Sequence, residues 1–460
     1  MSASLTFLGG AGGTVTGSKH LLENGRARLL LDCGLFQGLK PLRLRNWAPP
    51  PVDPKSLGAV ILSHAHIDHS GYLPRLCRDG FMGPIYATGG TADLLAVMLP
   101  DAAHLQEEEA EFANRHKTSK HAPALPLYTG EDAARALAGV TRVDFGRRFT
   151  PAPGVEARFT PSGHILGAGL VTCALEGRRL VFSGDLGRYD VPITVDPAPV
   201  AEADVLLVES TYGNRVHPAD DPRERLTAAV RRAVDQKGWL LIPAFAVGRS
   251  QEILYDLRAL EQSGVIPGIP VFLDSPMAIQ ATAIYAAHTD EHDAELGRLE
   301  ADGAKPFAPR RVRLSRTVED SKRLNETAGP GIIVAGSGMA TGGRILHHLK
   351  RLLPDPKTTV LFVGYQAAGT RGRLLKDGAT EAKMLGVTVT VRATIMISDA
   401  YSAHADREEI LRWLGGFKRP PGMTYVVHGE ADAASALRDA ITSPLGWKAA
   451  VAEDGQRVTL

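Results

Sequence analysis

The chain has 460 residues, of which 44% are hydrophobic and 22% are charged, and its formal net charge is +1. These values are typical of a soluble globular protein with two or three domains. They exclude a protein that attracts nucleic acid through its overall charge, although a local groove of arginines would be sufficient for that purpose.

The cysteines and the N-terminal residues bear on the cellular compartment. Cys33, Cys77 and Cys173 are too few and too widely spaced for a disulfide framework or a cysteine-based zinc site. The N-terminal residues have neither the basic nor the apolar region of a signal peptide, and no apolar run approaches membrane-spanning length. We therefore expect a cytoplasmic protein without a membrane partner.

The first residues predict short strands and a tight glycine turn. Leu5–Leu8 has the pattern of a strand and runs into the glycines of Gly9–Gly13. Because no Gly-Lys-Ser/Thr sequence follows, we interpret these glycines as a tight turn close to another backbone segment rather than as a phosphate loop. A hairpin around Asn24-Gly25 is expected next, with strands at Lys19–Glu23 and Ala27–Leu31.

The densest cluster of reactive side chains follows the apolar run Ala59–Leu62. Three histidines and one aspartate lie within six residues, namely His64, His66, Asp68 and His69. A strand that ends in such a turn directs several imidazole and carboxylate groups into one small volume. The alternative is a solvated turn with surface histidines, but clustered imidazoles usually have partners. We therefore interpret this segment as a metal-binding turn.

Further histidines and acids stand at the ends of other predicted strands or in glycine-bounded loops. Each is a weak signal by itself, because a lone histidine or aspartate in a loop is more often structural than functional. Their repeated placement at strand ends indicates one shared site. They are Asp32, His164, Asp185, Glu209, His404 and His428. By contrast, His104, His116 and His121 lack ligand-like spacing, and we interpret them as surface residues.

Beyond Asp204, strands and helices alternate, which predicts a parallel, doubly wound sheet. The predicted strands are Trp239–Ile242, Val271–Leu273, Ile332–Ala335 and Thr359–Val363, and the predicted helices include Pro222–Gln236 and Ser250–Gln262. The glycine-rich segment Gly336–Arg344 leads into a further helix. Its backbone amides and Arg344 either contact a phosphate or form an ordinary turn into the helix, and the sequence leaves both interpretations open.

The early motifs resemble those of the metallo-β-lactamase superfamily. The motif His64–His69, with Asp32 before it and His164 and Asp185 after it, is similar to the metal-binding motifs of that superfamily.

The later motifs resemble those of one group within the superfamily, the β-CASP enzymes. Glu209 in Glu-Ser-Thr-Tyr-Gly, His404 in Ser-Ala-His-Ala-Asp and His428 in Val-His-Gly are similar to motifs A, B and C of that group. Its members process nucleic acids, and a histidine at motif C is associated with the branch that processes RNA.

The resemblance implies an α/β fold, namely the metallo-β-lactamase αββα sandwich with an inserted α/β β-CASP domain, a parallel sheet flanked by helices. Residues 1–203 and 386–460 would form the discontinuous metallo-β-lactamase domain, and residues 204–385 would form the β-CASP domain.

The resemblance also implies two metal ions. Their ligands would be His64, His66 and His164 for one ion, Asp68, His69 and His428 for the other, and Asp185 as a bridge. Asp32 would orient a ligand histidine from behind. Two Zn²⁺ ions are expected, with Mn²⁺ as the alternative, because a set of histidines and aspartates accepts both.

The β-CASP motifs add catalytic and substrate-binding groups. By resemblance, His404 is the general acid toward the leaving oxygen, and Glu209 orients it and raises its pKa. Asp68 counts as a catalytic residue as well as a metal ligand, and Ser402 would hold a phosphate oxygen. Further candidate RNA contacts, each of which could equally be an ordinary surface or packing residue, are Arg249, Arg344, Tyr365, Arg371 and Arg373.

The expected function is that of a dinuclear metal-dependent ribonuclease acting on single-stranded RNA. An activated water would attack phosphorus in line and leave a 5′-phosphate and a 3′-hydroxyl. Because this chemistry needs no 2′-hydroxyl, single-stranded DNA is a further expected substrate. The sequence leaves open whether cleavage is endonucleolytic or 5′→3′ exonucleolytic, and whether the protein is a homodimer.

Two other functions compete with this one. A small-molecule ester or lactone hydrolase would use the same metal core, but it would not account for the inserted domain or for Ser402 and His404. A non-catalytic RNA-binding scaffold would account for the insert, but such proteins typically lose metal ligands, and this sequence retains the full set.

Overall fold

The computed structural model describes residues 3–218, 221–364, 366 and 369–460. This part of the chain forms two compact units. The first unit is discontinuous and comprises Met1–Val216 and His404–Leu460, and the second unit is His217–Ala403. No helix within the described ranges is long and apolar enough to cross a membrane.

In the described residues of the first unit, the strands form two seven-stranded sheets. In spatial order, the strands of the first sheet are Arg457–Thr459, Ser4–Gly9, Lys19–Glu23, Arg28–Leu31, Ala59–Ile61, Ile85–Ala87 and Val140–Arg142. Those of the second sheet are Ala449–Val451, Met423–Val427, Val205–Glu209, Arg178–Phe182, Gly169–Leu175, Val155–Pro161 and Arg148–Ala152. Each sheet is antiparallel in one half and parallel in the other.

The apolar strands of the second sheet contribute to two cores. Leu207 belongs to the core between the sheets, together with Leu31 of the first sheet. Its neighbours Leu206 and Val208 belong to a separate core, together with Trp413 from a helix. Because successive side chains of a strand point to opposite faces, one continuous apolar run fills both cores.

The first unit also contains helices, and the longer ones pack against these sheets. In the first unit they are Lys40–Arg45, Ile67–Ser70, Leu73–Arg78, Gly89–His116, Gly130–Ala138, Arg407–Leu414 and Ala431–Leu445, with a 3₁₀ turn at Pro54–Ser56. Trp413 and Ile441 pack the last two helices on the second sheet, and the long helix that begins at Gly89 contacts the edge strand Val140–Arg142 of the first. The predicted αββα sandwich is confirmed.

The second unit is built on a parallel sheet. Its six strands in the described part of the chain, in spatial order, are Val312–Leu314, Val271–Leu273, Gly331–Ala335, Trp239–Pro243, Thr359–Val363 and Thr394–Ser398. A small antiparallel pair is formed by Glu381–Met384 and Val387–Thr390. The helices are Pro222–Asp235, Arg249–Gln262, Pro276–Ala287, Ala294–Ala301, Val318–Arg323, Ile345–Leu352 and Arg371–Lys376, with a 3₁₀ turn at Thr289–Glu291. This is the predicted doubly wound arrangement of strands and helices.

The two units divide the chain later than the domain limits predicted at 203/204 and 385/386. Strand Val205–Glu209 pairs in parallel with Arg178–Phe182 and Met423–Val427, so it belongs to a sheet of the first unit. Strand Thr394–Ser398 pairs with Thr359–Val363, so it belongs to the second unit. Long-range strand pairing, which residue composition does not reveal, places the limits of these compact units at 216/217 and 403/404, and the domain limits at 203/204 and 385/386 stay a prediction.

Leu207→Ala should destabilise the first unit, because Leu207 is fully buried between the sheets and the substitution leaves a cavity there. The expected loss of unfolding free energy is about 2–5 kcal/mol, measured by urea denaturation followed by intrinsic fluorescence. Leu105→Ala is the control, because Leu105 is 48% exposed and its loss should cost less than about 0.5 kcal/mol. Equal effects in the two variants would contradict the assigned core.

Candidate metal centre

The candidate site lies at the carboxyl ends of parallel strands of the first unit. Arg28–Leu31 and Ala59–Ile61 run parallel in the first sheet. Arg178–Phe182, Val205–Glu209 and Met423–Val427 run parallel in the second sheet. Because the carboxyl ends of parallel strands share one edge of a sheet, the residues that end or follow these strands come together. They are Asp32, the turn His64–His69, Asp185, Glu209 and His428.

Neighbouring backbone segments hold the turn that contains Asp68 and His69. The N–H of Ser18 donates to the carbonyl of Asp68 at 2.9 Å, and the N–H of Cys33 donates to the carbonyl of His69 at 2.7 Å. Gly34 lies so close that a Cβ at this position would overlap the carbonyl oxygen of Asp68. The backbone therefore fixes the directions in which the side chains of the turn point.

Histidines converge to form a first candidate ligand set. His64 and His164 are buried and His66 is half-buried. The Nε2 atoms of His64 and His164 each lie 3.1 Å from Nδ1 of His66. One ligand atom from each of these residues and one from Asp185 lie within 4.8 Å of one another. Imidazole nitrogens at this spacing match the ligands of a catalytic zinc site.

A second candidate set combines Asp68, His69 and His428, whose ligand atoms also lie within 4.8 Å of one another. Nε2 of His69 is 3.0 Å from Nε2 of His428, and Oδ2 of Asp68 is 3.6 Å from Nε2 of His428. The N–H of His428 donates to the carbonyl of Gly10 at 2.7 Å. Gly10 has a φ of +63°, so the glycine run forms the predicted tight turn beside another backbone segment.

Asp185 lies between the two sets, and each of its carboxylate oxygens faces one of them. Oδ2 is 3.5 Å from Nε2 of His64 and 3.4 Å from Nε2 of His164. Oδ1 is 3.3 Å from Nε2 of His69 and 3.4 Å from Nδ1 of His428. This buried Oδ1 accepts no hydrogen bond from the described residues. Since a buried carboxylate oxygen without a partner is costly, the geometry fits a carboxylate shared by two cations.

The pKa values of His66, Asp68 and Asp185 fit the same interpretation. Burial lowers the pKa of His66 to about 4, against the opposing effect of Asp68, so the ring is neutral at pH 7. Burial raises the pKa of Asp68, but contact with His428 outweighs it and lowers this pKa to about 2. For Asp185, burial is likewise outweighed by His428 and His69, and its pKa is well below the ordinary value. For His69, burial is outweighed by the charges of Asp185 and Asp32, and its pKa lies well above the ordinary value, so this ring would have to release its proton when a metal binds. A neutral His66 beside ionised carboxylates is part of the donor set of Zn²⁺ and Mn²⁺.

Asp32 supports His69 from behind. Its Oδ2 is 2.6 Å from Nδ1 of His69. The N–H of Ser63 donates to Oδ1 at 2.7 Å, and the hydroxyls of Ser63 and Ser18 donate to Oδ2 at 2.9 and 3.1 Å. With Nδ1 directed at this carboxylate, Nε2 is the nitrogen of His69 that faces the site.

A second pair of a carboxylate and a histidine adjoins the cluster. Oε1 of the buried Glu209 is 3.0 Å from Nδ1 of His404. The N–H of Leu186 donates to Oε1 at 2.8 Å, and the N–H of Thr211 donates to Oε2 at 3.0 Å. Nδ1 of His404 is 3.9 Å from Oδ2 of Asp185, and the His404 side chain is 21% exposed. A histidine held by a buried carboxylate and still open to solvent is suited to proton transfer.

Family models match most of the chain. The Beta-lactamase superfamily domain matches residues 27–236, the Beta-Casp domain matches 250–375, and the Zn-dependent metallo-hydrolase RNA specificity domain matches 388–452. Ribonuclease TTHA0252 of Thermus thermophilus is 38% identical over 429 residues, which cover 93% of this chain and 94% of that protein. The chain belongs to the β-CASP group of the metallo-β-lactamase superfamily.

Two further relatives of this β-CASP chain are proteins of Methanocaldococcus jannaschii. The RNase J-like protein of Methanocaldococcus jannaschii is 30% identical, over 89% of this chain and 88% of that protein. Transcription termination factor FttA of the same organism is 31% identical, over 93% of this chain and 67% of that protein. A solved protein of unknown function from Enterococcus faecalis V583 shares the fold, with a TM-score of 0.56, 14% identity and 100% of both chains covered.

The arginines predicted to contact RNA lie in the second unit of this β-CASP chain, and each has partners there. Arg344 donates to Oδ1 of the buried Asp274 at 2.8 Å. Arg371 donates to backbone carbonyl groups, and Arg373 forms an ion pair with Asp377 at 2.8 Å. A phosphate would have to compete with these bonds, and contact of these arginines with RNA stays a prediction.

The other predicted substrate contacts are also in the second unit. Ser402 is 7% exposed and stands next to Ala403, the last residue of that unit. Arg249 is equally buried and forms an ion pair with Glu252. Tyr365 lies outside the described residues.

The sequence did not predict the serine hydroxyl groups that bind Asp32 in this β-CASP site. Ser63 binds Asp32 twice, and its place directly before His64 was a signal that could have drawn attention. Ser18 reaches Asp32 because strand Lys19–Glu23 pairs with the strand that precedes Asp32. The closeness of Ser18 to Asp32 follows from how the two strands pair, and no local sequence pattern indicates it.

Asp32→Asn should weaken metal binding. A neutral amide stabilises less well than a carboxylate the form of His69 in which Nδ1 carries the proton and Nε2 is free to bind a metal. The affinity for Zn²⁺ should fall about 10–100-fold, measured by competition with a chromophoric chelator. Asp274→Asn is the matched control, since Asp274 is equally buried and lies 2.6 Å from Nε2 of His348, outside the cluster. An equal loss of affinity in both variants would contradict the role of Asp32.

Proposed function

We propose that this protein is a ribonuclease that uses two metal ions to hydrolyse phosphodiester bonds of single-stranded RNA. The observation that carries the proposal is the pair of Glu209 and His404 beside the carboxylate of Asp185. A metal cluster alone would serve many hydrolases, whereas a fixed proton donor suits the poor alkoxide leaving group of a nucleic acid. The RNA specificity domain and the ribonuclease of Thermus thermophilus support RNA as the substrate.

The ligand sets would each hold one ion, with Asp185 shared between them. The ligands are His64, His66 and His164 for one ion, and Asp68, His69 and His428 for the other. When bound, such ions would supply a nucleophile from water at neutral pH and positive charge for the phosphoryl oxygens. We propose Zn²⁺, with Mn²⁺ as the alternative. Because the Asp68 side chain is 21% exposed, it can also accept a hydrogen bond from the attacking water.

His404 would protonate the leaving group. Cleavage to a 5′-phosphate and a 3′-hydroxyl forms a bond from the water oxygen to phosphorus and breaks the bond from phosphorus to the 3′-oxygen. With Nδ1 of His404 directed at Glu209, Nε2 would give the departing 3′-oxygen its proton. The 2′-hydroxyl takes no part, so we also expect cleavage of single-stranded DNA.

His404→Ala should reduce RNA cleavage by about 10²- to 10⁴-fold, with metal content unchanged because His404 is not in either ligand set. The assay is a cleavage ladder from 3′-end-labelled single-stranded RNA, with 5′-monophosphate and 5′-hydroxyl ends compared. Internal fragments would identify an endonuclease, and stepwise release from the 5′ end would identify an exonuclease.

The control for this variant is His104→Ala, which removes an imidazole that is 67% exposed on the long helix and should leave the rate unchanged. Metal-loaded wild-type protein that does not cut RNA would refute the proposed function, and so would a His404→Ala variant that cuts as fast as the wild type.

Glu209→Gln should move the alkaline limb of the pH–rate profile to lower pH. Burial lowers the pKa of His404, but the charges of Glu209 and Asp185 outweigh it and raise this pKa to about 9. The proton for the leaving oxygen is therefore present below that value and lost as the pH rises through it. Without the Glu209 charge the pKa falls, so kcat should decline at lower pH. An alkaline limb at the same pH in both proteins would contradict the proposal that Glu209 raises the pKa of His404.

A further inference from the structure

A buried tyrosine anchors the segment that leads to His404. We propose that Tyr401 is a positioning residue for the proton donor, because its hydrogen bond to Asp256 fixes the chain immediately before it enters the first unit at His404. This inference rests on the proposed function, since it assigns Tyr401 a role relative to the proposed acid. The anchor itself lies entirely within the second unit.

The side chain of Tyr401 has one well-defined set of contacts. Tyr401 is 4% exposed, and its hydroxyl donates to Oδ2 of Asp256 at 2.6 Å. Nε of Arg223 donates to Oδ1 of the same carboxylate at 2.7 Å, and the guanidinium of Arg249 lies 5.5 Å from the centre of the Tyr401 ring. Burial and the Asp256 charge raise the pKa of Tyr401 well above its ordinary value, so the phenol stays a donor.

The backbone before Tyr401 is also held. Strand Thr394–Ser398 pairs with Thr359–Val363 in the parallel sheet of the second unit. The N–H of Gly364 donates to the carbonyl of Ser398 at 3.2 Å. A Cβ on Gly364 would lie 3.0 Å from the carbonyl oxygen of Tyr401, so the two backbone segments are in close contact. Residues 398 and 401 are therefore both fixed to this sheet.

His404 follows this anchor closely along the chain. After it, the N–H of Ala405 donates to the carbonyl of Leu186 at 2.8 Å, within the first unit. Before it, only Ser402 and Ala403 separate His404 from Tyr401. Glu209 contacts the ring, and Tyr401 anchors the chain three residues before it. Because a displacement of about 1 Å can cost a catalytic group up to about 10²-fold in rate, loss of this anchor should be measurable.

Tyr255 provides a matched comparison for Tyr401. It is 2% exposed in the same unit, and its hydroxyl donates to Oε1 of Glu295 at 2.9 Å. Both tyrosines therefore bind a carboxylate from a buried position, and both should contribute to stability. Only Tyr401 adjoins the segment that carries His404.

The test compares Tyr401→Phe and Tyr255→Phe on two substrates, RNA and bis(p-nitrophenyl) phosphate. The nitrophenolate departs without a proton, so its release does not depend on a positioned acid. Tyr401→Phe should lower kcat on RNA about 10- to 100-fold, with KM for RNA, metal content and kcat on the nitrophenyl ester essentially unchanged. His404→Ala should show the same contrast between substrates, and Tyr255→Phe should slow neither reaction.

A double variant sharpens the test. Residues that act as one unit give non-additive losses, so Tyr401→Phe combined with His404→Ala should be no slower on RNA than His404→Ala alone. Asp256→Ala, which removes the acceptor instead of the hydroxyl, should also slow RNA cleavage selectively, and it keeps the test decisive if Tyr401→Phe does not fold.

The outcomes separate this inference from the proposed function. Equal losses on both substrates in Tyr401→Phe, or losses no greater than in Tyr255→Phe, would overturn the positioning role while His404→Ala still shows its selective defect. Wild-type protein without activity on RNA would overturn the proposed function, and the inference with it.

Discussion

A buried carboxylate surrounded by imidazoles is the interaction on which the first unit depends. Asp185 is 2% exposed and lies between 3.3 and 3.5 Å from nitrogens of His64, His69 and His428. Burial shields its negative charge from solvent, so it is tolerated only where a positive charge, such as that of the His69 ring or a bound cation, faces it. His64 and His69 follow a strand of the first sheet and His428 follows a strand of the second. Packing between the two sheets therefore keeps these histidines close to the carboxylate of Asp185.

A buried carboxylate that contacts Nδ1 of a histidine occurs twice, with different results. Asp32 and Glu209 are each fully buried, each accepts a backbone N–H, and each lies within 3.0 Å of a ring Nδ1. The histidine that contacts Asp32 is His69, which is enclosed among the other proposed ligand groups. The histidine that contacts Glu209 is His404, which is partly exposed to solvent. Solvent exposure thus separates the proposed metal ligand from the proposed proton donor.

Much of this molecule could be predicted from the sequence, because the relevant signals are local. The strands Val271–Leu273 and Thr359–Val363 are bounded apolar runs, and they were predicted to the residue. Contacts between distant residues could not be predicted. The unit boundaries depend on which strand pairs with Val205–Glu209, and Tyr401 meets Asp256 across 145 positions of sequence. A motif reveals which side chains perform the chemistry, whereas the groups that support them become visible only in the folded chain.

The discontinuity of the first unit has a consequence for synthesis on the ribosome. Asp185 and Glu209 are translated before the second unit begins, whereas His404 and His428 are translated only after it ends. At about 5–20 residues per second, domains generally fold as they emerge, the N-terminal part first. The growing chain would thus spend many seconds with one proposed ligand, His428, and the proposed proton donor, His404, missing. If RNA is the substrate, the proposed site becomes complete only after the second unit has been translated.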